Sequence, residues 1–112
     1  MNVADFPRRG DVWWVAFDAS LGGEVQKTRP VIVISNDSAN RALNRVQIVP
    51  VTSNVSRLYP SEAYVTIGTN RSKAMADQIA TVSKARLRER IGRISAADLD
   101  AVGRAIKTQL QI

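Results

Sequence analysis

The chain has 112 residues, of which 45% are hydrophobic and 23% are charged, and it carries a formal net charge of +6 at pH 7. This length and composition are ordinary for one packed globular domain, which we expect to span residues 1–112 without disulfide or metal support. The chain contains no Cys and no His, which excludes thiol catalysis, Ser–His and Cys–His nucleophilic pairs, and the common zinc and iron–sulfur sites.

The sequence pattern predicts a succession of short strands. Residues Asp11 to Phe17 are rich in aromatic and β-branched side chains, as strands usually are. Arg29 and Pro30 then open the apolar run from Val31 to Ser35, which is typical of a strand that is buried on both faces. A long loop, residues 18–28, separates these two strands. Further strands are predicted at residues 45–53, 62–67, 74–82 and 90–94, with a turn at residues 68–73.

Two helices are also predicted. Asn36 or Asp37 can cap a short helix from Ser38 to Leu43, and residues 83–88 form a helical turn. Ser95 begins the last helix, and Asp98 suggests an approximate capping box. Its apolar stripe consists of Leu99, Val102, Ile106 and Leu110. The order of elements predicts a mainly β fold: a small antiparallel barrel or strongly curled sheet, with a small inserted helix and a C-terminal amphipathic helix.

The charge indicates an anionic partner. Arg outnumbers Lys by twelve to four, and the planar guanidinium matches phosphate and stacks on bases. A solvated basic surface without such a partner would give the same composition. The first ten residues have no apolar segment of a signal peptide, and no apolar run approaches the ~18 residues that would span a bilayer. The absence of Cys fits a reducing compartment, so we expect a cytoplasmic protein with no membrane association.

Arg29 is the first candidate for a functional side chain. It follows a loop that contains Gly22, Gly23 and Glu24, at the point where the chain enters a buried strand. A cation held in this way is preorganised to stabilise negative charge that develops on a phosphate. A structural ion pair between Arg29 and Glu24 or Asp18 explains the same pattern, and the pattern alone slightly favours it.

Two further features carry polar groups that suit an RNA or DNA ligand. Thr52 and Ser53 end an apolar strand, and their hydroxyls can bind a phosphate or satisfy the strand's own backbone. Asp77 and Gln78 interrupt an apolar strand, where they can read base edges or link strands through a buried polar network. From the sequence alone, backbone satisfaction is the commoner case for Thr52 and Ser53, whereas the two alternatives for Asp77 and Gln78 are nearly level.

The last feature is a dense basic run near the final strand. Arg86, Arg88, Arg90 and Arg93 can contact phosphates, but they can equally form a solvated face or meet an acidic protein. Adjacent strand residues point to opposite faces, so at most one of Trp13 and Trp14 is buried in the barrel and the other is free for an interface.

Taken together, these pieces resemble the MazF/PemK family of toxin endoribonucleases of type II toxin–antitoxin systems. The matching stretches keep the family's order and spacing over almost the whole chain: RRGDVWWVAFD, GGEVQKTRPVIVISND, IVPVTSN, ADQIATVSKARL and RIGRIS. The resemblance implies an SH3-like curled antiparallel barrel that forms a homodimer. It also implies an antitoxin partner whose acidic C-terminal tail occupies the RNA groove.

The resemblance further implies a sequence-specific endoribonuclease that cleaves single-stranded RNA without a metal or other cofactor, and so arrests growth by inhibiting translation. RNA supplies its own nucleophile, the 2′-hydroxyl, and its attack leaves a 2′,3′-cyclic phosphate and a 5′-hydroxyl. By similarity to the family, Arg29 and Thr52 are the catalytic residues. Gly22, Glu24 and the Asp77–Gln78 pair line the RNA groove, where Ser53 adds a hydroxyl.

The sequence departs from the family at two points. Some members have an Arg with a catalytic role where this chain has Met75, and some have a His where this chain has none. Arg29 and Thr52 are therefore the stronger assignment. Glu24 is the nearest carboxylate in sequence that could accept the 2′ proton.

Two other functions remain as alternatives. A gyrase-poisoning toxin of the CcdB kind shares the fold without enzymatic activity, but such proteins end in Trp-Gly-Ile, whereas this chain ends in Gln109-Leu110-Gln111-Ile112. An SH3-like interaction module would bind a partner without turnover.

Overall fold

The computed structural model of the protein describes residues 5–17 and 27–112. Within these ranges the chain is mainly β, with a short inserted helix and a C-terminal helix, as the sequence predicts. The strands are β1 (Asp11–Phe17), β2 (Lys27–Val33), β3 (Arg45–Thr52), β4 (Glu62–Ile67), β5 (Asn70–Met75), β6 (Ala80–Ser83) and β7 (Leu87–Arg93). The helices are α1 (Asp37–Ala42) and α2 (Ala96–Leu110), and 3-10 turns occupy Ala76–Gln78 and Lys84–Arg86. Neither helix is long and apolar enough to cross a membrane.

All strand pairs in the described part of the chain are antiparallel. The strands lie in the order β4-β5-β3-β2-β1-β7, and β6 pairs with β3 beside β5. The two end strands, β4 and β7, do not pair with each other, so the described strands form an open sheet rather than a closed barrel. β2 and β3 lie in the middle, which is where the candidate side chains Arg29 and Thr52 belong.

Each face of the sheet has its own hydrophobic cluster. In β2, Ile32 faces the cluster that includes Val102 of α2, whereas Val31 and Val33 face a second cluster with Val15 of β1. These side chains are fully buried. Burying each contributes about 1.5–3 kcal/mol relative to exposure. β2 is thus held between two apolar layers, which confirms the prediction of a strand buried on both faces.

Side-chain caps fix the start of both helices. Asn36 accepts a hydrogen bond from the Ala39 amide at 2.8 Å, and Ser95 accepts one from the Asp98 amide at 3.1 Å. The Asp98 carboxylate does not complete a reciprocal capping box, because it accepts a hydrogen bond from the Thr66 amide at 2.8 Å. It therefore ties the first turn of α2 to β4.

The prediction of a turn at residues 68–73 followed by one strand at residues 74–82 is wrong. β5 already begins at Asn70, and the chain leaves the sheet at Ala76–Gln78 before β6 begins. Between the pairs Val51↔Ala74 and Ile48↔Ala80, β3 advances by three residues while its partner advances by six. The three additional residues form the 3-10 turn. Pro50 lies opposite this gap and has no N–H that a partner strand could accept.

The ends of two other strands also differ from the prediction. β2 begins at Lys27, because Lys27 and Thr28 pair with Phe17 and Ala16 of β1. Arg29 is therefore the third residue of the strand rather than the residue that opens it. The final strand is longer than predicted and begins at Leu87, which pairs with Val15.

Candidate functional site

The strand register places Arg29 and Thr52 on one face of the sheet, at the same end of the β2–β3 ladder. Arg29 is directly opposite Val15, so the two side chains share a face. The last pair of β2 and β3 at this end is Val31 opposite Pro50. Arg29 and Thr52 each lie two residues beyond that pair, and residues two apart in a strand face the same way. Two residues that are 23 positions apart in sequence thus face the same side of the sheet at the same end of this ladder.

Arg29 is exposed at the edge of a buried apolar surface. It precedes Val31 and Val33 in β2 and faces the same side of the sheet, and both of these valines are fully buried. The backbone at Arg29 is therefore held by the core while its guanidinium reaches solvent. Within residues 5–17 and 27–112, no carboxylate pairs with it. The predicted alternative partners, Asp18 and Glu24, lie outside the described residues, as does Gly22.

The Thr52 hydroxyl has a local hydrogen bond and a spare donor. Its oxygen accepts from the Asn54 amide at 3.2 Å, so it helps to turn the chain out of β3. A hydroxyl that accepts one bond can still donate its proton to another group. Thr52 is half-buried and Ser53 beside it is exposed. The two hydroxyls thus lie where β3 meets the loop at residues 53–61. Thr52 faces the same side as Arg29, whereas Ser53 lines a cavity with Trp14 and Pro30.

Asp77 and Gln78 lie in the 3-10 turn rather than inside a strand. Both side chains are exposed, which is against a buried polar network between strands. The Ile79 amide donates to the Ala76 carbonyl at 3.2 Å, and the Gln78 amide nitrogen lies 3.5 Å from the Met75 sulfur. The turn therefore presents a carboxylate and an amide to solvent, beside the Pro50 segment that leads to Thr52.

Lys73 is a central residue of this face that the sequence analysis missed. It lies opposite both Thr52 and Tyr64, and it is only 7% exposed. Its ammonium is 3.0 Å from the Glu62 carboxylate and donates to the Arg57 carbonyl at 2.7 Å. The predicted turn at residues 68–73 hid this strand position. The available signal was the two-residue spacing of Arg71, Lys73 and Met75, which places the three side chains on one face if this segment is a strand.

This face of the sheet combines exposed cations, the Thr52 hydroxyl and an aromatic side chain. Tyr64 follows in the same cross-strand row, and the Arg71 guanidinium lies 3.8 Å from the centre of its ring. Such groups bind an anion and stack on planar rings, as single-stranded nucleic acid requires. Among residues 5–17 and 27–112, no three acidic side chains come together as a metal site would need.

The comparisons with known proteins agree with this geometry. A family model described as PemK-like, MazF-like toxin of type II toxin–antitoxin system matches residues 8–110. Endoribonuclease MazF9 of Mycobacterium tuberculosis is 38% identical over 114 aligned positions that cover 94% of this chain and 97% of the relative.

Solved structures of the same kind share the fold. A MazE–MazF complex from Deinococcus radiodurans matches with a TM-score of 0.82 at 25% identity, covering 95% of this chain and 96% of the other. A mycobacterial endoribonuclease in complex with its cognate antitoxin matches with a TM-score of 0.78 at 25% identity, with the same coverage. With a family match over almost its whole length and a relative this similar, the chain belongs to the PemK-like, MazF-like toxins of type II toxin–antitoxin systems.

Proposed function

We propose that this chain, a MazF-type endoribonuclease toxin, cleaves single-stranded RNA at short specific sequences through attack of the 2′-hydroxyl on the adjacent phosphate. The products are a 2′,3′-cyclic phosphate and a 5′-hydroxyl, and no metal takes part. The observation that supports the proposal is that an exposed Arg29 and Thr52 face the same side of the sheet, at the same end of the β2–β3 ladder. In a cell, such cleavage arrests growth by inhibiting translation.

The chemistry assigned to the two residues is electrostatic. The reaction needs the 2′-oxygen, the phosphorus and the 5′-oxygen in line, and it places additional negative charge on the non-bridging oxygens. The Arg29 guanidinium binds those oxygens, and the Thr52 hydroxyl donates one more hydrogen bond to them. Both groups are anchored by buried strands before the substrate arrives, so little reorganisation accompanies the reaction.

The remaining predicted residues are assigned to RNA binding. Ser53 contacts the sugar–phosphate backbone of the RNA, and the exposed Asp77 and Gln78 read base edges. Gly22 and Glu24 belong to the loop that precedes β2, and the family resemblance assigns them to the same groove. Lys73 is already engaged with Glu62 and Arg57, so we assign it to holding the loop at residues 53–61 in place.

Two protein partners belong to this proposal. The first is a cognate antitoxin whose acidic C-terminal tail occupies the basic face, as the net charge of +6 favours. The second is another copy of the chain. Trp14 and Ile91 are 38% and 39% exposed and line an apolar cavity that also includes Ile67. A homodimer that covers this surface would remove large apolar side chains from water.

The decisive experiment is cleavage of total RNA by the purified protein in the presence of EDTA, with the new 5′ ends mapped by sequencing. We expect ends that share a short sequence and carry a 5′-hydroxyl. Arg29→Ala should abolish them, whereas Arg41→Ala removes an equally exposed positive charge from α1 and should leave them unchanged. Normal cleavage by the Arg29 variant, with circular dichroism showing both variants folded, would remove Arg29 from the site.

A second substrate tests the nucleophile. A DNA copy of a mapped RNA site lacks the 2′-hydroxyl, so it should bind the protein without being cut. Cleavage of the RNA and its DNA copy at the same rate would contradict the mechanism, because the attacking oxygen would then have to come from water.

A further inference from the structure

A second basic cleft lies between the N-terminal segment, β1 and β7. It encloses about 630 Å³, which is within the range of ligand sites in proteins. Four of its lining residues are arginines, namely Arg8, Arg88, Arg90 and Arg93, against two carboxylates. The lining is therefore net positive. None of these residues belongs to the Arg29–Thr52 site.

Hydrogen bonds orient the arginines of this cleft and leave further N–H donors available. Arg88 donates one N–H to the Ala85 carbonyl at 2.8 Å, and Arg93 donates one to the Arg9 carbonyl at 3.3 Å. Each guanidinium has five N–H donors, so several on each remain for a ligand. Arg90 has a different role, because its Nε lies 3.2 Å from the buried carboxylate of Asp11.

Aromatic side chains also line the cleft. Trp13 and Phe6 both belong to its lining, and the Arg8 guanidinium lies 4.3 Å from the centre of the Phe6 ring. The indole N–H of Trp13 has no acceptor among the described residues, but it is buried beneath the surface of the cleft, so it is not a contact point for a bound molecule.

The register of the sheet connects this cleft to the candidate catalytic site. Val15 is opposite Arg29 on one side and opposite Leu87 on the other, and Leu87 lines the cleft. Neighbouring strands lie about 4.8 Å apart, so the backbone at Leu87 is about 10 Å from that at Arg29. A polynucleotide bound at Arg29 that runs across β1 thus reaches the cleft within a few nucleotides.

We infer that this cleft binds backbone phosphates of the RNA outside the cleaved step, through Arg88 and Arg93, and so extends the substrate site beyond the Arg29–Thr52 pair. This inference rests on the proposed function for the identity of the polyanion. The shared sheet face and the aromatic lining favour RNA over an acidic peptide, because only a polynucleotide spans both sites with one chain of regularly spaced phosphates and offers bases to the rings.

The test compares two double variants of equal charge. Arg88→Gln with Arg93→Gln removes two cleft cations and keeps the Arg90–Asp11 pair. Arg41→Gln with Arg104→Gln removes two exposed cations from α1 and α2. Each is assayed on a 5-nucleotide and a 12-nucleotide RNA that carry the same mapped cleavage site, the longer one with extensions on both sides.

We expect the cleft variant to lose about tenfold in kcat/KM on the 12-nucleotide RNA, the effect of one or two lost charge-assisted hydrogen bonds. On the 5-nucleotide RNA it should match the control variant. Equal activity of the two variants on both RNAs would overturn the inference. So would an equal loss on both RNAs, because the arginines would then act on the catalytic site or on the fold.

A binding measurement keeps the inference separate from the proposed function. A 12-nucleotide single-stranded DNA is not cleaved, and the slope of log Kd against log salt counts its phosphate contacts. Two lost contacts should reduce this slope by about 1.4 in the cleft variant and leave it unchanged in the control. If the wild type cleaves no RNA, the proposed function fails, but the slope still decides the cleft. An unchanged slope together with weaker binding of a poly-glutamate peptide would assign the cleft to a protein partner and overturn the inference.

Discussion

Lys73 lies directly across from Thr52 in the antiparallel pair of β5 and β3, and its buried ammonium is 3.0 Å from the carboxylate of Glu62. The same carboxylate accepts from the Tyr59 amide at 2.8 Å, while Lys73 donates to the Arg57 carbonyl. One buried ion pair therefore holds the loop at residues 53–61 at Arg57 and Tyr59.

The first prediction concerns this ion pair. Lys73→Met should lower the free energy of unfolding by about 3–5 kcal/mol, because it leaves the Glu62 carboxylate buried without its counter-charge. The double variant Lys73→Met with Glu62→Leu should recover part of that loss, since no buried charge remains unpaired. Urea denaturation of the wild type, both single variants and the double variant measures the coupling. Strictly additive effects would show that the two side chains do not stabilise one another.

The second prediction concerns the Thr52 hydroxyl. Thr52→Val should slow RNA cleavage by about 10²–10³, as the loss of one donor to a developing charge does elsewhere. Thr52→Ser keeps the donor and should keep most of the rate. Stability should fall by only about 1 kcal/mol in the valine variant, because the one hydrogen bond lost is that from the Asn54 amide.

The matched control for Thr52 is Ser56→Ala in the following loop. It removes the Ser56 hydroxyl, which donates to the side-chain oxygen of Asn54 at 2.8 Å. Its cleavage rate should equal that of the wild type. A valine variant that cleaves as fast as this control would exclude Thr52 from the reaction.

Sequence patterns predicted the strands in which the buried positions carry apolar side chains. β1 and β4 have the predicted ends, because aromatic and β-branched residues dominate the first and alternation is clear in the second. β5 was missed, since its sequence NRSKAM is polar and includes a buried lysine. Its strand conformation arises from pairing with β3 and β4, and from the Glu62 carboxylate that neutralises Lys73.

The residues of the candidate site could be chosen from the sequence, but their arrangement could not. Arg29 and Thr52 are both candidates from the sequence, yet their placement on one face of the sheet depends on β2 beginning at Lys27 and on the register with β3. The cleft beside β7 could not be predicted from the sequence for the same reason. Trp13 and Arg90 are paired across the sheet from distant parts of the chain, with bulges on either side.

The third prediction concerns Asn40, which is the fully buried residue of α1. Its side-chain amide donates to the Ser35 carbonyl at 2.8 Å and accepts from the Ser35 hydroxyl, which in turn accepts from the Gln47 amide at 3.0 Å. Asn40→Ala removes the donor to the buried Ser35 carbonyl and the acceptor of the Ser35 hydroxyl proton, and should cost about 2–3 kcal/mol. The exposed Asn44→Ala should cost less than about 0.5 kcal/mol in the same urea titration. Equal costs would mean that this network does not stabilise α1 against β3.

The last prediction concerns the apolar cavity beside Trp14. If a second copy covers it, Trp14→Arg places a charge in the interface and should shift the protein from dimer to monomer at micromolar concentration. Leu43→Arg is the control, because Leu43 is also large, apolar and 40% exposed but lies at the end of α1. Sedimentation velocity over a hundredfold range of concentration measures both. A dimer that survives Trp14→Arg and dissociates in the Leu43 variant would move the interface to the α1 side of the molecule, whereas a monomeric wild type would leave Trp14 and Ile91 as a surface for the antitoxin.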